Sequence, residues 1–306
     1  MTHTSFASVT RGLDRRLLPM RLYEKAKRLG VWNPSDIELD RDKSDWSKLN
    51  TDEKDLILRL LAMFVAGEEA VTLDLLPLIR VIAQEGRIEE EMFLTSFLFE
   101  EAKHTDFFRR FLDEVVLLST PSADGLALRS NLTKYHTDNY RAIFYDALPA
   151  ALSALEADSA PSVQIRASVT YNMIVEGVLA ETGYHAFFTM LERNDLMPGL
   201  RKGIALLKQD ESRHIAYGVY LLSRLIAENP ADWDVLDSQM NFLLPLAIGV
   251  IGDAFAAYEV VPFGLVEDDF VSYAMSQFTR RFERLEKARG AGLEVIHDLA
   301  LDNEEN

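Results

Sequence analysis

The chain has 306 residues, 48% of them hydrophobic, and its 49 acidic against 32 basic residues give a formal net charge of −17. Such a surface repels phosphate backbones and anionic lipid, which makes nucleic acid and charged membrane surfaces poor partners. With no cysteine present, disulfides, thiolate metal sites, iron–sulfur clusters and cysteine nucleophiles are ruled out.

Residues 1–50 read as irregular and polar, with Trp32-Asn33-Pro34 and an acid-rich run from Asp36 to Asp45. Met1 to Leu13 lacks the basic start and apolar block of a signal peptide, so a cytoplasmic location is expected. Thr51-Asp52-Glu53 looks like a helix N-terminus, with acids at the positive end of the dipole. The pattern then predicts helices over about 51–84, 88–116, 162–194, 197–227, 231–261 and 266–289. A shorter helical stretch is expected over 126–157, interrupted near Pro149. Breakers fall between them at Glu85-Gly86, Pro121 to Gly125, Pro161, Pro198-Gly199 and Asn229-Pro230.

The longest apolar run, Phe242 to Gly252, contains Pro245 and stops at Asp253. It falls short of the roughly 18 residues of a spanning helix, so it is predicted to be a buried core helix and no membrane span is expected. From about 290 to 306 the chain is a polar tail. No useful alternating strand pattern occurs, and one all-α domain over 1–306 follows.

Two copies of Glu-x-x-His stand in helical sequence, Glu101-Ala-Lys-His104 and Glu211-Ser-Arg-His214, and each has an upstream glutamate in an apolar stretch, Glu68 and Glu176. Helical phase tests whether these groups face inward. Leu61, Phe64, Glu68, Val71, Leu75 and Leu78 form one stripe, and Leu94, Phe97, Glu101, His104 and Phe108 form another. Val169, Met173, Glu176, Ala180 and Phe187 make the third stripe, and Ile204, Leu207, Glu211, His214 and Leu221 the fourth. Four carboxylates and two imidazoles therefore aim at one core. Buried ionised carboxylates without partners cost several kcal/mol each, and two divalent cations balance their charge. A ferritin-like four-helix bundle with additional helices, holding two metals on this ligand set, is the predicted architecture. Mixed carboxylate and imidazole donors suit iron and manganese.

A third copy, Glu294-Val-Ile-His297, has no such upstream glutamate and reads as an ordinary amphipathic turn. His3, His136 and His185 also lack company and are expected to be surface or structural groups. Asp210, directly before Glu211, is expected to accept from a metal-bound imidazole, that of His104.

These segments resemble the small subunit of ribonucleotide reductase, and within that group the ligand-binding oxidases with a manganese/iron cofactor. The resemblance rests on Ala66-Gly-Glu-Glu-Ala-Val-Thr72, Phe99-Glu-Glu-Ala-Lys-His104, Thr170-Tyr-Asn-Met-Ile-Val-Glu-Gly177, Ala180-Glu-Thr-Gly-Tyr184 and Gln209-Asp-Glu-Ser-Arg-His214, and spans about residues 20–265. It implies Glu68, Glu101 and His104 on one metal and Glu176, Glu211 and His214 on the other, with Glu101 bridging. It further implies one manganese and one iron (a di-iron form being the alternative), dioxygen as co-substrate, a long-chain fatty acid bound at the metals, and a homodimer. An ether cross-link between Val71 and Tyr171 is the corresponding expectation for catalysis.

Val71, three residues after Glu68, shares its face. Tyr171, five before Glu176, is about 140° out of phase on a regular helix, so its place rests on the resemblance or on a local helix distortion. Tyr184 is a weaker candidate for supporting the site. Phe108 stands where conventional reductase subunits carry a radical tyrosine, and the tail Asp302-Asn-Glu-Glu-Asn306 has no aromatic residue for docking on a large subunit. The oxidase is therefore the leading reading. A reductase small subunit is the alternative, and a ferritin-type iron-binding protein is the alternative of another class.

Overall fold

The computed structural model describes residues 5–118 and 132–289. His3, the start of the 126–157 stretch, the Glu294 motif and the polar tail lie outside the described residues. No strand occurs among the described residues.

The expectation of an irregular segment before residue 51 is corrected. After one turn at Ala7–Thr10 the chain forms α1 (Leu18–Leu29), a short 3-10 turn at Pro34–Asp36 and α2 (Asp40–Lys48). In α1, Leu18, Leu22 and Ala26 are buried at four-residue spacing, which is the stripe of a docked helix. The acids of α2 face inward for a different reason. Asp42 accepts from the amides of Gly199 and Leu200, and Asp45 from that of Met197. Both aspartates thereby satisfy donors at the start of a later helix, where negative charge is also favoured by the dipole. A side chain on Gly199 would strike the Glu38 carbonyl, so glycine lets the two backbones meet.

Helix α3 (Thr51–Asp74) starts where Thr51-Asp52-Glu53 predicted, with Asn50 and Glu53 forming a reciprocal cap. The expected helix 51–84 is divided, because Pro77 supplies no amide and cannot continue the ladder; α4 (Leu76–Gln84) follows after Leu75. Next come α5 (Ile88–Phe111), continued by a π turn at Leu112–Leu117, and α6, built from Asp138–Arg141, a π turn at Ala142–Ala147 and Leu148–Ser153. Helix α7 runs as Pro161–Ser168, a π-helical stretch Val169–Ala180, and Glu181–Arg193. The remaining helices are α8 (Pro198–Glu228), α9 (Trp233–Phe255) and α10 (Glu267–Ala288).

The four long helices α3, α5, α7 and α8 form the bundle, with α3 on α5, α5 on α8, and α8 on the π-helical part of α7. Helix α1 covers α5 and α8, while α9 and α10 cover the π-helical stretch.

The apolar run 242–252 is only half what its composition predicts. Leu243, Ala247, Val250 and Ile251 are buried, but Phe242 is 63% exposed. Pro230–Phe255 is long and apolar enough to cross a membrane by length and composition; in the fold it lays one face on the bundle.

Candidate metal centre

All six predicted ligands meet at the middle of the bundle. Glu68, Glu101, His104 and Glu211 form one group, and Glu101, Glu176, Glu211 and His214 a second, with the ligand atoms of each group within 4.8 Å of one another. Glu101 and Glu211 belong to both groups. The family resemblance implied a bridging role for Glu101 alone; Glu211 shares its membership of both groups.

His104 Nδ1 lies 3.5 Å from Glu68, 3.7 Å from Glu101 and 3.5 Å from Glu211. His214 Nδ1 lies 3.0 Å from Glu101, 3.6 Å from Glu176 and 3.4 Å from Glu211. Yet both Nδ1 atoms, both oxygens of Glu101, and one oxygen each of Glu176 and Glu211 are buried without a hydrogen-bond partner. Buried polar atoms are rarely left so. Donor atoms that are close, inward-facing and unsatisfied are what two cations would coordinate, so the residues present fit a dinuclear metal centre.

The far nitrogen of each imidazole is held by an acid from the opposite motif. Asp210 Oδ2 lies 3.2 Å from His104 Nε2, and Glu100 Oε2 lies 2.9 Å from His214 Nε2. Such carboxylates turn Nδ1 toward a metal and raise its basicity. Asp210 was expected here; Glu100 was not. The signal for it was available, since each motif reads acid-Glu-x-base-His and the preceding acid reaches the other copy's histidine.

The bases take part as well. Lys103 Nζ donates to Asp210 at 3.0 Å and to the Gly30 carbonyl at 2.6 Å, and Arg213 donates to Glu100 at 2.6 Å and to Asp210 at 2.5 Å. Trp32 Nε1 also donates to Asp210, at 2.8 Å. Removing either acid should weaken binding of its metal by about 10–100-fold. Competition with a chelating dye, applied to Glu100→Gln and Asp210→Asn, measures this, and an unchanged affinity in both would contradict the orienting role.

The π-helical stretch explains Tyr171. Its i→i+5 pairing brings residues five apart into register, so Tyr171 and Glu176 share a face that an α-helix would deny them. The Tyr171 hydroxyl is buried without a hydrogen-bond partner, and burial together with Glu101 and Glu176 pushes its pKa well up. Asn172, one residue on, donates to Glu176 at 3.0 Å. Tyr184 reaches the centre directly, its hydroxyl 3.4 Å from Glu68 and 3.3 Å from Glu211. Phe108 offers no hydroxyl and stacks on Phe64 at 4.9 Å. His136 lies against Tyr145 and the Ala62 carbonyl, and His185 stacks on Tyr273, both away from the centre.

Charge in this pocket is redistributed while no metal is bound. Burial raises Glu68 to about 8 and pushes Glu176 well up. Burial also opposes Glu101, but the two imidazoles outweigh it and hold its carboxyl low. Burial disfavours charge on the imidazoles, yet the surrounding carboxylates raise both well above the usual range.

An apolar cavity of about 110 Å³ reaches this centre. Glu68, Glu101, Glu176 and Glu211 border it, and Met63, Val71, Tyr140, Phe144, Val175, Val250 and Ile251 are among the other lining residues.

The family described as "ribonucleotide reductase, small chain" matches residues 20–275. Among solved structures, a valine-to-alanine variant of an R2-like ligand-binding oxidase with anaerobically reconstituted Mn/Fe cofactor shares 38% identity at a TM-score of 0.84. A tyrosine-to-phenylalanine variant with the cofactor reconstituted aerobically matches equally, and a valine-to-isoleucine variant, also aerobic, reaches a TM-score of 0.86 at 38% identity. Each alignment covers 92% of this chain and 98% of the other. Shared sequence over almost the whole length, with the same helical architecture, settles the kinship: the chain belongs to the ribonucleotide reductase small-chain family, among its R2-like ligand-binding oxidases.

Proposed function

We propose that this protein is a dioxygen-dependent oxidoreductase with a manganese/iron centre, acting on a long-chain fatty acid or similar hydrophobic ligand. The observation that carries the reading is the pair of ligand groups sharing Glu101 and Glu211 at the end of an apolar cavity. Glu68, Glu101, His104, Glu176, Glu211 and His214 would hold the two metals, which supply dioxygen activation and Lewis acidity when bound. The chain's own contribution is position and dryness. Glu100 and Asp210 aim the imidazoles, the apolar walls exclude water, and Tyr184 offers a proton at Glu68 and Glu211. A carboxylate head group at the metals with its tail along Val71, Val175 and Val250 matches the polarity of the cavity.

The same reading includes a Val71–Tyr171 ether. Val71 borders the cavity and the centre, and the Tyr171 hydroxyl has no competing hydrogen bond. Forming the C–O bond breaks the Val71 Cβ–H and Tyr171 O–H bonds, and the two electrons and two protons released pass to dioxygen. Intact mass spectrometry after aerobic loading with manganese and iron should show the loss of two hydrogens and a linked Val71–Tyr171 peptide. An unchanged mass in protein with both metals bound would reject the cross-link.

The reductase alternative has less support, since Phe108 puts a packed phenyl ring where a radical tyrosine would stand. A homodimer is part of our reading; Leu73, Leu76 and Phe99 are exposed apolar side chains that it would cover.

A further inference from the structure

Beyond the ligands, the stripe of α5 and the matching stripe of α8 carry a second buried polar pair. The Tyr217 hydroxyl donates to Glu90 Oε2 at 3.1 Å, with Tyr217 fully buried and Glu90 2% exposed. Glu90 lies 3.5 Å from Arg224 and 3.7 Å from Arg87, and Arg87 is in turn 3.1 Å from the half-exposed Glu228. The network thus runs from the interior to the surface.

Between this pair and the metal centre the rings are continuous. Tyr217 is 5.2 Å from Phe93, Phe93 is 6.0 Å from Phe97, and Phe97 is 3.6 Å from His214 and 5.7 Å from Tyr171. On the outer side Tyr217 is 6.4 Å from Tyr220, which is 5% exposed. Nothing in metal binding needs a tyrosine–glutamate pair here.

We propose that Tyr217 is a redox-active residue that returns one electron to the oxidised metal centre across Phe93 and Phe97 while passing its phenolic proton to Glu90. The inference rests on the oxidase reading, whose dioxygen-oxidised centre is the oxidant. In the step the Tyr217 O–H bond breaks, an O–H bond forms on Glu90, and the centre is reduced by one electron. A phenol losing only an electron would leave a positive charge in a dry interior, at a cost of several kcal/mol; the adjacent carboxylate removes it. Burial raises the proton affinity of Glu90, which favours that transfer. An external one-electron reductant of the thiol or ascorbate class restores the phenol by way of Tyr220, and Glu90 gives the proton back. The relay would draw off oxidising equivalents when no substrate fills the cavity. Met63, in the cavity wall, is the side chain it would spare from sulfoxide formation.

The test uses full-length, metal-loaded, reduced protein mixed with dioxygen in the absence of added fatty acid and freeze-quenched for electron paramagnetic resonance. A phenoxyl radical signal that narrows with ring-deuterated tyrosine is expected, lost in Tyr217→Phe and slowed in Glu90→Gln. Met63 sulfoxide should rise in both variants by peptide mass spectrometry, while metal content and melting temperature confirm that each is folded and loaded. A wild-type centre that oxidises with no phenoxyl signal, or a signal untouched in Tyr217→Phe, overturns the relay. Loaded protein that consumes no dioxygen overturns the oxidase reading itself, and the relay with it.

Discussion

Replacing Glu101 with alanine is expected to empty both metal positions at once. Its two oxygens are buried without other partners, and it belongs to both ligand groups. A ligand confined to one group, such as Glu68 or Glu176, should mainly release one metal. Glu101→Ala removes a donor from each ion, and its loss should exceed the about 10–100-fold typical of an orienting residue, leaving no measurable oxidase turnover. Elemental analysis of the purified variant, set beside Glu68→Ala and Glu176→Ala, reads this directly. Retention of one full equivalent in Glu101→Ala would mean that it serves a single ion. Glu211→Ala should behave like Glu101→Ala, although the resemblance implied Glu211 as a ligand to one metal only.

Metal loading should release about two to four protons per chain at pH 7, because coordination requires deprotonated ligands. Without metal, His104, His214 and Glu176 hold protons well above their ordinary ranges, and Glu68 holds its proton up to about 8. The sign for stability follows from the same shifts. A raised folded-state pKa stabilises the fold below the unfolded value, and that contribution is lost as pH climbs through the folded value. For Glu68 the window is from its ordinary 4.5 to about 8, and for the two imidazoles it opens at 6.5 and extends upward. Glu101 and Asp210, whose carboxyls are held low, act in the opposite sense, but only at acid pH below that window. Metal-free protein should therefore lose stability steadily as pH rises from about 5.5 to 8, seen as a melting temperature that falls across that range. Metal-loaded protein should show no such fall, since protons then compete with the ions. Calorimetric titration in two buffers of different ionisation enthalpy counts the protons, and melting curves across pH test the trend. Metal binding without proton release would contradict the charge arrangement described above.

What could be read in the letters was whatever depends on periodicity. Glu68, Glu101, His104, Glu176, Glu211 and His214 each sit on an apolar stripe, and the fold brings those stripes together because the bundle has one interior. Tyr171 could not be placed in the same way, since the change from i→i+4 to i→i+5 pairing in Val169–Ala180 leaves no trace in hydrophobic spacing. The α2 acids were missed for a related reason. Asp42 and Asp45 looked like a polar run, whereas their partners are amides 152 and 158 residues away at the start of α8, which no local pattern records. Phe242 erred the other way: apolar neighbours suggested a buried helix, and the helix presents it to the surface. Glu100 is the instructive omission, because the repeated acid-Glu-x-base-His pattern was complete in the sequence.

The central claim is that two different ions are held between α3, α5, α7 and α8. Anomalous diffraction at the manganese and iron edges, on crystals of protein loaded with both metals, tests it most directly. The expected maps show two peaks about 3.5–4 Å apart, one per ligand group, with Glu101 and Glu211 spanning them. Absent peaks, a single ion, or glutamates and histidines turned away from the density would contradict it.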